Sequence, residues 1–122
     1  MKECYICGKP RSEEHHIIYR KQCKPLERCK KNIVYLCGEH HRGTCGVHGK
    51  HGEALNNKLK LEFQEWLESE FTQEQYKLED IQKILGISDN AIKSLSKLMT
   101  QYRGQYKRED IIIVCMGGKR VD

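Results

Sequence analysis

Asn32-Ile33-Val34-Tyr35-Leu36-Cys37-Gly38-Glu39-His40-His41 reads as a short apolar strand that ends on a pair of metal-ligand side chains. Cys37 and His40 are separated by two residues, and the same spacing occurs upstream in Cys4-Tyr5-Ile6-Cys7. A thiolate pair spaced this way can chelate one ion if the chain turns between the two residues, and Gly8 with Pro10 supports a turn. Cys4, Cys7, Cys37 and His40 together make a Cys3His set, the donor set of a structural zinc.

Working inward from the two half-sites, Glu14-His15-His16-Ile17-Ile18-Tyr19 has the character of a second short strand. Side chains alternate along a strand, so His15 and His16 are expected on opposite faces, one toward a metal and the other toward a substrate. Arg20 to Lys31 is a polar, basic loop containing Cys23, Pro25 and Cys29. Asn32, at the head of the next strand, suits either a turn residue or an amide that fixes the loop carrying the histidines.

Working outward, His41-Arg42-Gly43-Thr44-Cys45-Gly46-Val47-His48-Gly49-Lys50-His51-Gly52 holds four glycines in ten residues. That density argues for a loop with close backbone approach, and it leaves His41, His48 and His51 available to a second metal. Glu53 to Phe71 is then the clearest helix. Leu55, Leu59, Phe63, Trp66, Leu67 and Phe71 recur at three- and four-residue spacings. Beyond Thr72 a second unit begins. Leu78, Ile81, Ile84 and Leu85 predict a short helix stopped at Gly86. Ser88 or Asp89 can cap a further helix whose buried face would be Ile92, Leu95, Leu98 or Met99, and Tyr102. The pair suits a helix-turn-helix or a plain helical hairpin, and Gln82 stands where the former usually has a small residue. Ile111 to Met116 reads as a buried strand or short helix, with Gly117-Gly118 as a turn.

With 122 residues, 38% hydrophobic and 32% charged, the chain is not expected to build one large apolar core, so a staple such as a metal is needed. The seven cysteines are odd in number, and Met-Lys-Glu-Cys offers no apolar signal core. Free thiolates in a reducing compartment, hence a cytoplasmic protein binding zinc, are expected over a disulfide framework. Nothing approaches the roughly 18 apolar residues of a membrane span. Residues 1–60 carry 13 Lys/Arg against 6 Asp/Glu, and residues 61–122 carry 9 against 11. A basic N-terminal half suits contact with a phosphate backbone.

The order Cys4-x2-Cys7, His15-His16-Ile17-Ile18, Asn32 to Cys37-x2-His40-His41 resembles the HNH endonucleases with their ββα-metal core. The run His40-His41-Arg42-Gly43-Thr44-Cys45-Gly46-Val47-His48-Gly49 is similar to that of small HNH proteins of phages and prophages. The resemblance covers about residues 1–70. It implies an α+β fold, a zinc-stapled nuclease domain over residues 1–71 followed by a helical, helix-turn-helix-like unit over 72–122 that binds DNA or a partner.

It further implies His15 and His41 as ligands of a catalytic divalent metal, His16 as general base, and Asn32 as the residue holding the catalytic loop. A third ligand falls by position on Cys45. A thiolate is unusual for a hard Mg²⁺ ion, so the glycine loop is expected to move that role to His48. The catalytic ion would be Mg²⁺ or Mn²⁺, with Zn²⁺ or Ni²⁺ also suited to imidazole. Arg20, Lys21, Arg42 and Lys50 are the expected nucleic-acid contacts.

The implied activity is hydrolysis of DNA phosphodiester bonds in a bacterial host cell, with phage packaging or replication proteins as partners. The alternative is a non-catalytic zinc module that binds nucleic acid or serves as a phage assembly adaptor.

Overall fold

Glu13–His16 (β1) pairs antiparallel with Ile33–Leu36 (β2) in the computed structural model, which describes residues 2–121. The register sets Glu13 opposite Leu36 and His15 opposite Val34. The one-turn helix Gly38–Arg42 (α1) follows β2 directly, and the long helix Glu53–Glu70 (α2) closes the first half. Leu59, Phe63 and Leu67 of α2 are buried together with Ile17, Ile18 and Leu36, as the three- and four-residue periodicity predicted.

Between β1 and β2 the loop is built around Asn32, which is fully buried. Its Oδ1 accepts from the Ile18 N–H at 2.7 Å, and its Nδ2 donates to the Ile18 and Leu26 carbonyls, both at 3.1 Å. Both amide donors and the carbonyl oxygen are therefore used on main-chain groups that a loop would otherwise bury unpaired. Of the two roles open to Asn32, the structure gives it the second.

The C-terminal half holds more sheet than the sequence suggests. Gln75–Tyr76 (β3), Leu78–Leu85 (α3), Asp89–Leu98 (α4), Gln101–Tyr102 (β4), Gln105–Lys107 (β5) and Arg108–Cys115 (α5) follow in order. The three short strands form a sheet in the order β3-β5-β4. A purely helical unit is thus corrected to three helices with a small antiparallel sheet among them. Strands of two or three residues are too short to show a period of two, so no alternation marks them.

Gly86 ends α3 in the left-handed region (φ 66°), and Ser88 caps α4, its Oγ accepting from the Ala91 N–H. Gln82 does not disrupt the turn. It ties it, donating to the Ile87 carbonyl and to Asp89. Ile92, Leu95 and Met99 are buried, whereas Leu98 and Tyr102 are half exposed, so Tyr102 is not part of the buried face. Tyr102 lies in β4, where the chain has left the helical period, and Arg103 and Lys107 sit over its ring. Ile111 to Cys115 belongs to helix, not strand.

One apolar cluster runs through both halves, from Leu26 and Leu36 to Ile81, Leu95 and Ile112. Polar ties reinforce it. Gln64 and the Val121 backbone exchange two hydrogen bonds, and the Arg108 side chain donates to the Glu68 and Phe71 carbonyls. Cys23, Cys29 and Cys115 are buried in this cluster, and burial raises all three thiols, Cys23 to about 11. They fill the core as small apolar groups. Among the described residues no helix is long and apolar enough to cross a membrane.

Candidate metal centre and adjoining cleft

Two groups of donors flank α1. Its residues His40 and His41 are consecutive, so about 100° of helical rotation sends their rings to different sides. His40 joins Cys4, Cys7 and Cys37, and His41 joins His15 and His48. Within each group the ligand atoms lie within 4.8 Å of one another.

The Cys/His group fits a tetrahedral zinc. Cys7 Sγ and Cys37 Sγ are 3.7 Å apart, Cys4 Sγ and His40 Nδ1 are 3.7 Å apart, and Cys37 Sγ and His40 Nδ1 are 3.2 Å apart. A tetrahedron with metal–sulfur bonds of about 2.3 Å has an edge near 3.8 Å, which these separations approach. The local electrostatics favour thiolates. Burial opposes ionisation of Cys4, but backbone N–H groups of Cys37, Cys7 and Ile6 outweigh it and lower the thiol to about 6. The N–H of His40 lowers Cys37 in the same way. Cys7 moves up instead. The backbone N–H at Lys9 lowers it, but burial and the neighbouring sulfurs of Cys4 and Cys37 prevail. Three crowded thiolates repel one another until a cation neutralises them. This Cys/His cluster could hold a structural metal such as zinc.

The second group depends on the glycine loop. From Gly43 to Gly52 a glycine falls at every third position. The chain coils back on α1 through Val47 N–H to His40 O (2.9 Å), His48 N–H to His41 O (3.0 Å) and His51 N–H to Thr44 O (2.7 Å). A Cβ on Gly46 would stand 2.6 Å from the Glu39 carbonyl oxygen, and one on Gly49 would strike the Gly43 and Thr44 carbonyls. Only glycine permits this approach. The coil places His48 beside His41, with ring centroids 4.8 Å apart, and beside His15 at 5.1 Å. Cys45 is exposed and outside the group, as is His51. His48 thus completes the group of three imidazoles.

His15 is 2% exposed, and its Nε2 is buried with no hydrogen-bond partner among the described residues. Burial and the neighbouring His41 lower its pKa to about 4. Burial, then His41, lower His48 as well. An orphaned nitrogen on a neutral ring facing two further imidazoles fits a divalent cation.

His41 Nδ1 donates to Glu13 Oε1 at 2.8 Å, which leaves Nε2 as the ligand atom. Glu13 is held below the usual carboxylate range by Arg42 first and His41 second. Glu13 is a site residue that sequence reasoning missed. The signal was present, since Glu13 and His15 are two apart and share a face of β1.

His16, expected to face away from His15, opens onto the same cleft, because β1 ends at His16 and the chain turns there. The cleft, of about 290 Å³, is lined by Glu14, both histidines of the pair, Tyr19, Arg20, Lys21, His41 and His48. His16 Nε2 lies 2.9 Å from the Glu27 carbonyl, which can only accept, so Nε2 carries the proton and Nδ1 the free lone pair. Arg20 and Lys21 line the cleft, Arg20 also pairing with Glu27 at 3.4 Å. Arg42 is engaged by Glu13, and Lys50 is exposed on the coil away from the lining. Lys60 of α2 was not anticipated. It reaches the site over the Tyr19 ring, 5.6 Å from its centroid.

No family model, curated protein or solved structure matches this chain.

Proposed function

We propose that the chain is a metal-dependent DNA endonuclease of the HNH type, with residues 1–71 as the zinc-stapled ββα-metal nuclease and His15, His41 and His48 as ligands of the catalytic cation. The observation that carries this reading is the convergence of three imidazoles on a cleft that also holds a fourth histidine with a fixed tautomer. A divalent cation there would supply Lewis-acid stabilisation of the phosphate and of the departing 3′-oxygen.

The chain's own residues account for the rest. His16 Nδ1 takes a proton from water, and the Glu27 carbonyl stabilises the resulting imidazolium through Nε2–H. The water oxygen bonds to phosphorus as the bond to the 3′-oxygen breaks. Arg20, Lys21 and Lys60 offer cations to the phosphate backbone. Asn32 fixes the loop that bears Glu27, so it positions the base without touching substrate.

Nicking of supercoiled plasmid in a metal series tests the proposal. Cleavage with Mg²⁺ or Mn²⁺ is expected, and His16→Ala should slow it by about 10²–10⁴-fold with zinc content and melting temperature unchanged. Full activity in that variant removes His16 as base. A wild-type chain that binds DNA but leaves it uncut with every metal of the series supports the non-catalytic zinc module instead.

A further inference from the structure

Two stretches far apart in sequence stand out by charge. From Ile18 to Gly38 the chain carries Arg20, Lys21, Lys24, Arg28, Lys30 and Lys31 against Glu27 alone. From Asn90 to Lys107 it carries Lys93, Lys97, Arg103 and Lys107 with no acidic residue, inside a half of the chain that is otherwise acidic. The fold brings them together, because α4 packs on the short turn Lys24–Leu26.

Between them is a hollow of about 330 Å³ whose lining includes Lys24, Pro25, Arg28, Asn90, Ala91 and Ser94. Lys24, Arg28, Lys93 and Lys97 are exposed, and no ion pair engages them among the described residues. Of the nearby acids, Glu79 lines a neighbouring hollow with Lys93, and three others are occupied. Glu27 pairs with Arg20 at 3.4 Å, Asp89 accepts from Gln82, and Asp110 accepts from the Thr100 N–H. Lys24 and Arg28 line the hollow itself, and Lys93 and Lys97 stand on the same helix that forms its other wall; unpaired cations placed this close attract a polyanion.

We propose that this composite surface, made by Lys24 and Arg28 of the loop and Lys93 and Lys97 of α4, binds the phosphate backbone of double-stranded DNA. The inference rests on the nucleic-acid reading above and names the form of its substrate. Asn90, Lys93 and Lys97 share the face of α4 turned from buried Ile92 and Leu95. An exposed helix after a tight turn fits the major groove of B-form DNA but not the deep, narrow one of duplex RNA. No aromatic side chain lines the hollow, so the stacking platform that single strands require is missing there. Continuity with the cleft comes through Glu27, whose carbonyl holds His16 and whose carboxylate holds Arg20.

The test is fluorescence anisotropy on the full chain with its zinc and no other divalent ion, using a duplex of about 20 base pairs across a salt series. Lys24→Glu/Arg28→Glu and Lys93→Glu/Lys97→Glu should each weaken binding by about tenfold or more and lower the salt slope by about 1.8. Lys2→Glu/Lys83→Glu, which reverses two charges outside both stretches, should change affinity by less than about twofold. Lys93→Gln/Lys97→Gln should give a smaller loss in the same direction, which guards against a fold defect in the reversal.

Wild-type affinity in either reversal pair overturns the proposal. So does an equal loss in the control pair, or single-stranded DNA or duplex RNA binding as tightly as duplex DNA. If plasmid is never cleaved but these affinities hold, the nuclease reading falls and the surface stands. If cleavage is seen and the reversals bind normally, the surface falls alone.

Discussion

Glu13 Oε1 accepts a hydrogen bond from His41 Nδ1 at 2.8 Å while the same oxygen accepts from Arg42 Nε at 3.0 Å. The contact joins the first residue of β1 to the last turn of α1, and it fixes which nitrogen of His41 is free for a metal. A carboxylate behind a ligating histidine typically contributes 10- to 100-fold in metal affinity. Glu13→Ala should therefore weaken Mn²⁺ or Co²⁺ binding at the three-histidine group by about that factor. Its side chain is 41% exposed, so the melting temperature should barely move. Titration calorimetry reads the affinity, and unchanged binding would remove the orienting role.

Zinc stoichiometry tests the other donor group. The four-ligand Cys/His cluster is closed, whereas the three imidazoles leave coordination open. The chain should keep about one zinc after dialysis against a weak chelator, as a closed structural site does. Cys37→Ser should lose that zinc and the cooperative unfolding of the β1–β2 hairpin, since it removes one of the four donors while its N-cap position on α1, which makes no side-chain bond, suits serine. Elemental analysis beside thermal unfolding makes the comparison. A zinc-free chain with the wild-type transition would rule the staple out.

Much of this site was legible in the sequence, and the limits have physical causes. Cys4, Cys7, Cys37 and His40 announce themselves because chelation by a short chain segment demands a fixed spacing. His15, His16 and Asn32 were placed by their order along the chain. Glu27 could not be, because its contribution to His16 is a backbone carbonyl, which any residue supplies. Lys60 reaches the cleft only through the docking of α2, a tertiary event that no local pattern records. The short strands β3, β4 and β5 were hidden for a different reason: they are held by pairing with each other, not by alternation.

Acid should destabilise the fold through His15. The ring is buried neutral, with a folded pKa of about 4 against about 6.5 for an exposed histidine. Between those values the unfolded chain binds a proton that the folded chain refuses. Stability from this group is fully present above pH 6.5 and is lost as pH falls toward 4, by up to roughly 3 kcal/mol. Denaturant melts of wild type and His15→Leu, both in chelator mild enough to leave the zinc, isolate the effect. The difference between the two should move in favour of the variant as pH falls across this window. A difference that stays flat would show that His15 is not buried as a neutral ring.

The last prediction separates His48 from Cys45 as third ligand, and the glycine coil supplies the means. A methyl on Gly49 would meet the Thr44 carbonyl oxygen at 2.5 Å, the same oxygen that accepts from His51 N–H. Backbone cannot yield as a side-chain tip can, so Gly49→Ala must open the coil at a cost of about 1–3 kcal/mol. Opening it stretches the His48 N–H bond to the His41 carbonyl and withdraws the His48 ring from His15 and His41. Gly49→Ala and His48→Ala should then weaken Mn²⁺ or Co²⁺ binding alike, while Cys45→Ala, at an exposed position outside the group, should leave it intact. All three variants should retain the tightly held zinc, because Cys4, Cys7, Cys37 and His40 lie before the coil. If Cys45→Ala lost the metal and His48→Ala kept it, the ligand set would be His15, His41 and Cys45, and the glycine period would serve packing alone.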